Sequence, residues 1–145
     1  VGNKLMIHSA KEFIRLRGSS EPDDYMRAGT EEAPLDVWME VIEKNKDMRV
    51  WVARNRAIPT EIIRKLAYDN DDLVRHAIAS KYPLEEELYI LFSKDPDEGV
   101  RNRIACNKRT PSYILKEMAD SDSSDYIKEN ALEKYNERLR KEHSK

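Results

Sequence analysis

Apolar residues recur along this chain in short helical stripes, and the stripes themselves recur. Ile62, Ile63, Leu66 and Ala67 form one set, Leu88, Tyr89 and Phe92 the next, and Ile114, Leu115, Met118 and Ala119 a third. Spacings of i, i+1, i+4 and i+5 place each set on one face of a helix. Between these sets stand shorter ones, Val74 with Ile78 and Val100 with Ile104, each followed by a small Ala79 or Ala105. Pro59 and Pro111 open the longer stripes, where a missing N–H costs nothing. The acidic turns "DNDD", "DPDE" and "DSDSSD" separate the two helices of each pair, and Asp71 and Asp97 are placed as N-caps of the second helix. Helices this short do not hold alone in water. The pattern therefore predicts helix pairs that cover each other's apolar faces, stacked in series.

Aligning Met48, Val74 and Val100 brings Arg49, Arg75 and Arg101 into one column, Val52, Ile78 and Ile104 into a second, and Ala53, Ala79 and Ala105 into a third, at a spacing of 26 residues. "IPTEIIRKLAYD" (58–69) matches "TPSYILKEMADS" (110–121) at a distance of 52, with "PLEEELYILFSKD" (83–95) between them. "APLDVWMEVIEKN" (33–45) is the earliest copy, one residue out of step. The ends differ, as they must where one side faces water. Ser9 to Glu12 has the form of a capping box and starts a helix over 9–17 that buries Phe13, Ile14 and Leu16. "GSSEP" breaks it, and a second short helix over 22–29 carries Tyr25 and Met26. At the far end, 124–142 reads as one longer helix with a narrow stripe of Ile127, Ala131, Tyr135 and Leu139. The expected organisation is a single domain over 1–145: an N-terminal helical cap at 6–32, repeats at 33–122, and a C-terminal capping helix and tail at 123–145.

The phrases D-x-D-x-x-V-R-x-x-[VI]-A-x-[NK] and [IT]-P-x-x-[IL]-[IL]-x-x-[LM]-A, in register over residues 33–135, resemble the leucine-rich repeat variant, a relative of HEAT repeats. The resemblance implies an all-α, right-handed solenoid, a superhelix of short helix pairs, and no enzyme activity. Some variant proteins carry an iron–sulfur cluster on a separate cysteine-rich segment. The single Cys106 here does not support that carry-over. Some HEAT-like proteins bind or repair DNA, others are scaffolds, and some small bacterial ones look like toxin-neutralising partners.

Charge sharpens this only a little. The 145 residues hold 26 basic and 28 acidic side chains, a net charge of −2, which argues against a general nucleic-acid or membrane-surface binder. One cysteine excludes an internal disulfide and fits a reducing, cytoplasmic compartment. No apolar run approaches the roughly 18 residues of a membrane span, and no secretory pattern opens the chain. Met6 is placed to be the natural start, with residues 1–5 a remnant. His8, His76 and His143 are far apart, and no H-E-x-x-H, phosphate-cradling glycine loop or G-x-S-x-G occurs. The expectation is no enzyme, no metal and no cofactor.

Two kinds of column remain. Arg49, Arg75 and Arg101, with Lys128 near the same register, read as an internal ladder with Asp69, Asp71, Asp95 and Asp97; a row of phosphate-binding cations is the competing reading. The "RNR" at 54–56 and "NKR" at 107–109 read as cations complementing helix C-termini, with a phosphate patch as the competing reading that the slightly acidic chain disfavours. Positions that change between repeats are free to face a partner: Val50, His76 and Asn102; Trp51, Ala77 and Arg103; Arg54, Ser80 and Cys106. If the second helices line a concave face, Trp51, Arg54, His76, Asn102 and Arg103 form the partner-binding surface, Trp and Arg being favoured at interface hot spots. Against this stands Trp51 packed on the preceding repeat, with the others merely solvated. The function expected is non-catalytic protein binding by a monomer. Second comes a DNA-binding or DNA-repair solenoid, which needs a continuous basic groove. Third comes an immunity-type partner of a bacterial toxin, with "EEE" at 85–87 and "DSDSSD" at 120–125 supplying an acidic face.

Overall fold

The computed structural model describes residues 6–144, so the status of residues 1–5 lies outside the described residues. Ten α-helices follow one another: α1 (Ala10–Gly18), α2 (Pro22–Thr30), α3 (Leu35–Lys44), α4 (Arg49–Arg54), α5 (Thr60–Leu66), α6 (Asp72–Ala79), α7 (Glu86–Ser93), α8 (Glu98–Cys106), α9 (Ser112–Ser121) and α10 (Asp125–His143). A 3-10 turn at Lys46–Met48 leads into α4. The only β-pairing among the described residues is one isolated bridge between Met6 and Glu32. The all-helical expectation is met, and the end helices fall within a residue of their expected bounds. Packing divides the chain into two compact units, one ending at Ile78 and one beginning at Ala79.

In the first unit the capping signals act as the sequence implies. Ser9 Oγ accepts from the Glu12 N–H at 3.0 Å, and the Glu12 carboxylate accepts from the His8 N–H. Pro22 opens α2. The core gathers Phe13 and Leu16 of α1, Trp38, Val41 and Ile42 of α3, Val52 of α4 and Ile62 and Leu66 of α5, all at most 1% exposed. Each such side chain contributes roughly 1.5–3 kcal/mol of burial. Phe13 meets Trp38 edge-on, with ring centres 5.2 Å apart. Arg49 ties α4 to both neighbours: Nε donates to the Ile42 carbonyl at 2.6 Å and Nη1 to Asp69 at 3.2 Å.

The second unit repeats this grammar. Asp97 caps α8 by accepting from the Val100 N–H, and Ser124 caps α10 by accepting from the Ile127 N–H. Leu88, Tyr89 and Phe92 of α7, Val100 and Ile104 of α8, Leu115 of α9 and Ile127 of α10 are buried. Arg101 Nε donates to Asp122 at 3.1 Å and Nη1 to the Asp95 carbonyl at 2.8 Å. The expected arginine–aspartate ladder is met by Arg49 with Asp69, whereas in the second unit Arg101 takes the carboxylate of Asp122, outside the expected set, and only the backbone carbonyl of Asp95. The acids that take the arginines are Asp69 and Asp122, and aspartates of the three turns also fold them: Asp69 accepts from the Asp71 N–H, Asp95 from the Asp97 N–H and Asp122 from the Ser124 N–H. Along α10 the stripe is graded, with Ile127 and Ala131 buried but Tyr135 and Leu139 only half-buried.

A second bracket went unread in the sequence. Asn55 is fully buried, and its Nδ2 donates to the carbonyls of Ala28 at 2.8 Å and Glu31 at 3.0 Å, while its Oδ1 accepts from the Ala57 N–H at 2.7 Å. Asn107 does the same in the other unit, donating to Ala79 at 3.0 Å and Lys81 at 2.8 Å and accepting from the Arg109 N–H at 2.9 Å. The asparagines of "RNR" and "NKR" are therefore clamps on the C-terminal end of an earlier helix.

A candidate binding groove

The first unit carries an open groove of about 630 Å³ between α1, α2 and α4. Trp51 and Arg54 of α4 line one side, Arg17 of α1 another, and Tyr25, Met26 and Gly29 of α2 a third, with Arg56 just beyond α4. The local sequence explains each placement. Phe13 and Leu16 pin α1 to the core, and Arg17, one turn after Phe13, lies on that same inward edge. Val52 and Ala53 are buried, which leaves Trp51 and Arg54 on the flank of the short α4. Asn55 clamps the end of α2, and the Arg56 N–H donates to the Gly29 carbonyl at 2.9 Å, so α2 and the end of α4 are joined at two points. Tyr25 and Met26 are 53% and 64% exposed, an apolar pair left in the open.

Cations and aromatic rings interleave here. The Arg17 guanidinium carbon is 3.3 Å from the centre of the Trp51 ring and 4.6 Å from that of Tyr25. Arg54 stands 4.8 Å from the Trp51 ring. Such contacts stabilise by about 0.5–2 kcal/mol each. Arg17 Nε is buried and has no hydrogen-bond partner among the described residues. The groove lining includes no carboxylate. Other arginines nearby are satisfied: Arg27 donates to Glu31 at 2.6 Å and also faces Glu12, and Arg15 pairs with Asp24 at 3.7 Å. The Glu31 hydrogen bond holds the Arg27 guanidinium above its ordinary pKa.

The residues expected to face a partner separate into two groups. Trp51 and Arg54 meet in the groove. His76 is exposed on α6 and does not line it. Asn102 and Arg103 belong to the second unit, where Asn102 accepts from Asn130 at 2.9 Å and Arg103 donates to Ser80 at 2.9 Å. Sequence reasoning missed Arg17 and Tyr25 as site residues, and it named Arg56 only within the basic "RNR" cluster. One signal was available, since Arg17 is a cation on the inward stripe of α1.

Among the described residues, no group of three or more His, Cys, Asp or Glu side chains is placed to hold a metal ion, and no helix is long and apolar enough to cross a membrane. Comparison with family models, with curated proteins and with solved structures finds no match to this chain.

Proposed function

We propose that this chain is a non-catalytic protein-binding module, built as a right-handed solenoid of helix pairs with a period of about 26 residues, whose partner contacts centre on Trp51 and Arg54. The solenoid reading draws support from equivalent residues making equivalent bonds: Arg49 with Asp69 and Arg101 with Asp122, Asn55 and Asn107. The observation that carries the binding reading is the groove itself, where a tryptophan, two exposed apolar side chains and three arginines without an acidic partner share one concavity. Trp, Tyr, Met and Arg are the residue types enriched at protein interfaces.

A DNA-binding role is the second reading, and the same arginines favour it. It is the weaker one, because Glu21, Asp23 and Asp24 flank the groove-lining Pro22 and would repel a continuous phosphate backbone. A toxin-neutralising role is a special case of the first reading. The test places a photo-crosslinking residue at Met26, with the same residue at Glu133 of α10 as control, and irradiates cells expressing each. A protein adduct formed at Met26, absent at Glu133 and unchanged by nuclease, is the expected result. Adducts that disappear with nuclease, or that form equally at both positions, would overturn the proposal.

A further inference from the structure

We infer that the groove recognises an acidic peptide segment, an Asp or Glu carboxylate set next to an apolar side chain, with Arg17 as the anchor. This rests on the protein-binding reading and adds the chemistry of the partner. Trp51 and Tyr25 stand against the Arg17 guanidinium at 3.3 and 4.6 Å. A guanidinium whose π-faces meet aromatic rings offers its N–H edge for bonding in its own plane. A planar acceptor with two oxygens, such as a carboxylate, matches that edge bidentately. Arg17 Nε is buried without a partner, and a buried unpaired donor is unfavourable until an acceptor arrives. Arg54 and Arg56 add two further cations, and no acidic side chain lines the groove to compete. The exposed Tyr25 and Met26 supply the apolar contact beside them.

Three clustered cations suit a short segment with spaced carboxylates better than a nucleic-acid strand. A strand presents a charge at every step and would run into the acids beside Pro22.

Gly29 provides a clean way to block the site. It lines the groove, and a Cβ added there meets no atom within 4 Å. It also sits inside α2, where replacing glycine favours the helix. Gly29→Leu therefore fills the groove and leaves the fold intact, which circular dichroism verifies. The experiment selects a phage-displayed library of short random peptides on the wild-type protein and counter-selects on Gly29→Leu. Recovered peptides are then titrated by tryptophan fluorescence. Two tryptophans are present, and Trp38 is fully buried, so a ligand-dependent change reports Trp51.

The expected result is enrichment of sequences with Asp or Glu adjacent to an aliphatic or aromatic residue. Their binding should weaken with salt, and by roughly tenfold to a hundredfold in Arg17→Gln, the loss expected for a charge-assisted pair. Enrichment of uncharged or basic sequences that still fail on Gly29→Leu would overturn the acidic specificity and leave the protein-binding reading standing. No peptide enrichment, with a single-stranded oligonucleotide bound instead and lost in Gly29→Leu, would overturn both. No Gly29-sensitive binding of either probe would also overturn both.

Discussion

Replacing Asn107 with alanine tests whether the buried asparagine clamp holds the second unit together. The side chain is 7% exposed and makes three close bonds, to the Ala79 and Lys81 carbonyls and from the Arg109 N–H. Alanine removes all of them and leaves the backbone groups behind. The Ala79 carbonyl is buried and loses its bond without access to water, at a cost of about 1–3 kcal/mol. The bonds to Lys81 and from Arg109 are only partly buried, so water recovers much of their loss and each costs about 0.5 kcal/mol. The sum is about 3 kcal/mol. With a urea dependence of about 2 kcal/mol per M, the midpoint should fall by about 1.5 M. Asn107→Asp sharpens the test, because it places a carboxylate oxygen where Nδ2 met two carbonyl oxygens. That geometry raises the folded-state pKa of the introduced carboxyl above the unfolded value of about 3.9. A raised folded pKa makes the variant relatively more stable at low pH and less so as pH rises through that pKa. The gap between wild type and Asn107→Asp should therefore be wider at neutral pH than near pH 4. Asn55→Ala should mirror the alanine result in the first unit. A change below about 0.5 kcal/mol for Asn107→Ala, with an unchanged denaturant slope, would refute the clamp.

Two further predictions concern pairs of unlike burial. The Arg101 and Asp122 side chains are 13% and 3% exposed, so Arg101→Met should strand a buried carboxylate and destabilise by about 3 kcal/mol, whereas Lys116→Ala, which breaks an exposed pair with Asp120, should leave the urea midpoint unchanged. Equal effects from the two substitutions would sink the distinction. Tyr113 donates to Glu86, and that bond, followed by partial desolvation, raises the phenol above its ordinary pKa. With the folded value raised, any stability contributed by this contact is present at neutral pH and is lost as pH rises through the raised value. NMR titration of labelled tyrosine should find Tyr113 ionising above the ordinary tyrosine range, and Glu86→Gln should lower it toward that range; no change in that variant would remove Glu86 as the cause.

The helix pairs were readable because burial in short helices demands a simple spacing. Val100 with Ile104 and Ile114 with Leu115 and Met118 satisfy it, and all are buried as expected. The arginine ladder was readable for a related reason: a residue repeated in every unit does a job that every unit needs. Asn55 and Asn107 escaped because the intervening position is Lys81 and because each asparagine belongs to a basic cluster, which turns attention to charge. Their role depends on carbonyls 24 to 28 residues away, and no local pattern announces such a partner. Tyr25 and Arg17 escaped for a different reason. They lie in the non-repeating cap region, so neither column comparison nor helix periodicity brings them to Trp51.

That contrast separates the two sets of arginines by chemistry as well as by position. Arg49 and Arg101 recur at the repeat period, and each is consumed within its unit by a carbonyl and an aspartate. A cation held this way offers little to a ligand, since its donors are already committed to the turn beside it. Arg17 and Arg56 fall outside the repeating columns, and Arg54 stands in a column that reads Ser80 and Cys106 in later units. None of these three has an acidic partner lining the groove, and two of them lie against the Trp51 ring instead. Aromatic contact keeps a guanidinium in place without using its N–H donors, so the group stays ordered and still able to bond. On the proposed repeat reading, stability is assigned to the positions that repeat, as with Arg49 and Arg101. The side chains around the groove are ones that do not recur: Arg17, Tyr25 and Met26 come from the cap region, and Trp51 and Arg54 stand in columns that read Ala77 and Ser80 one unit later.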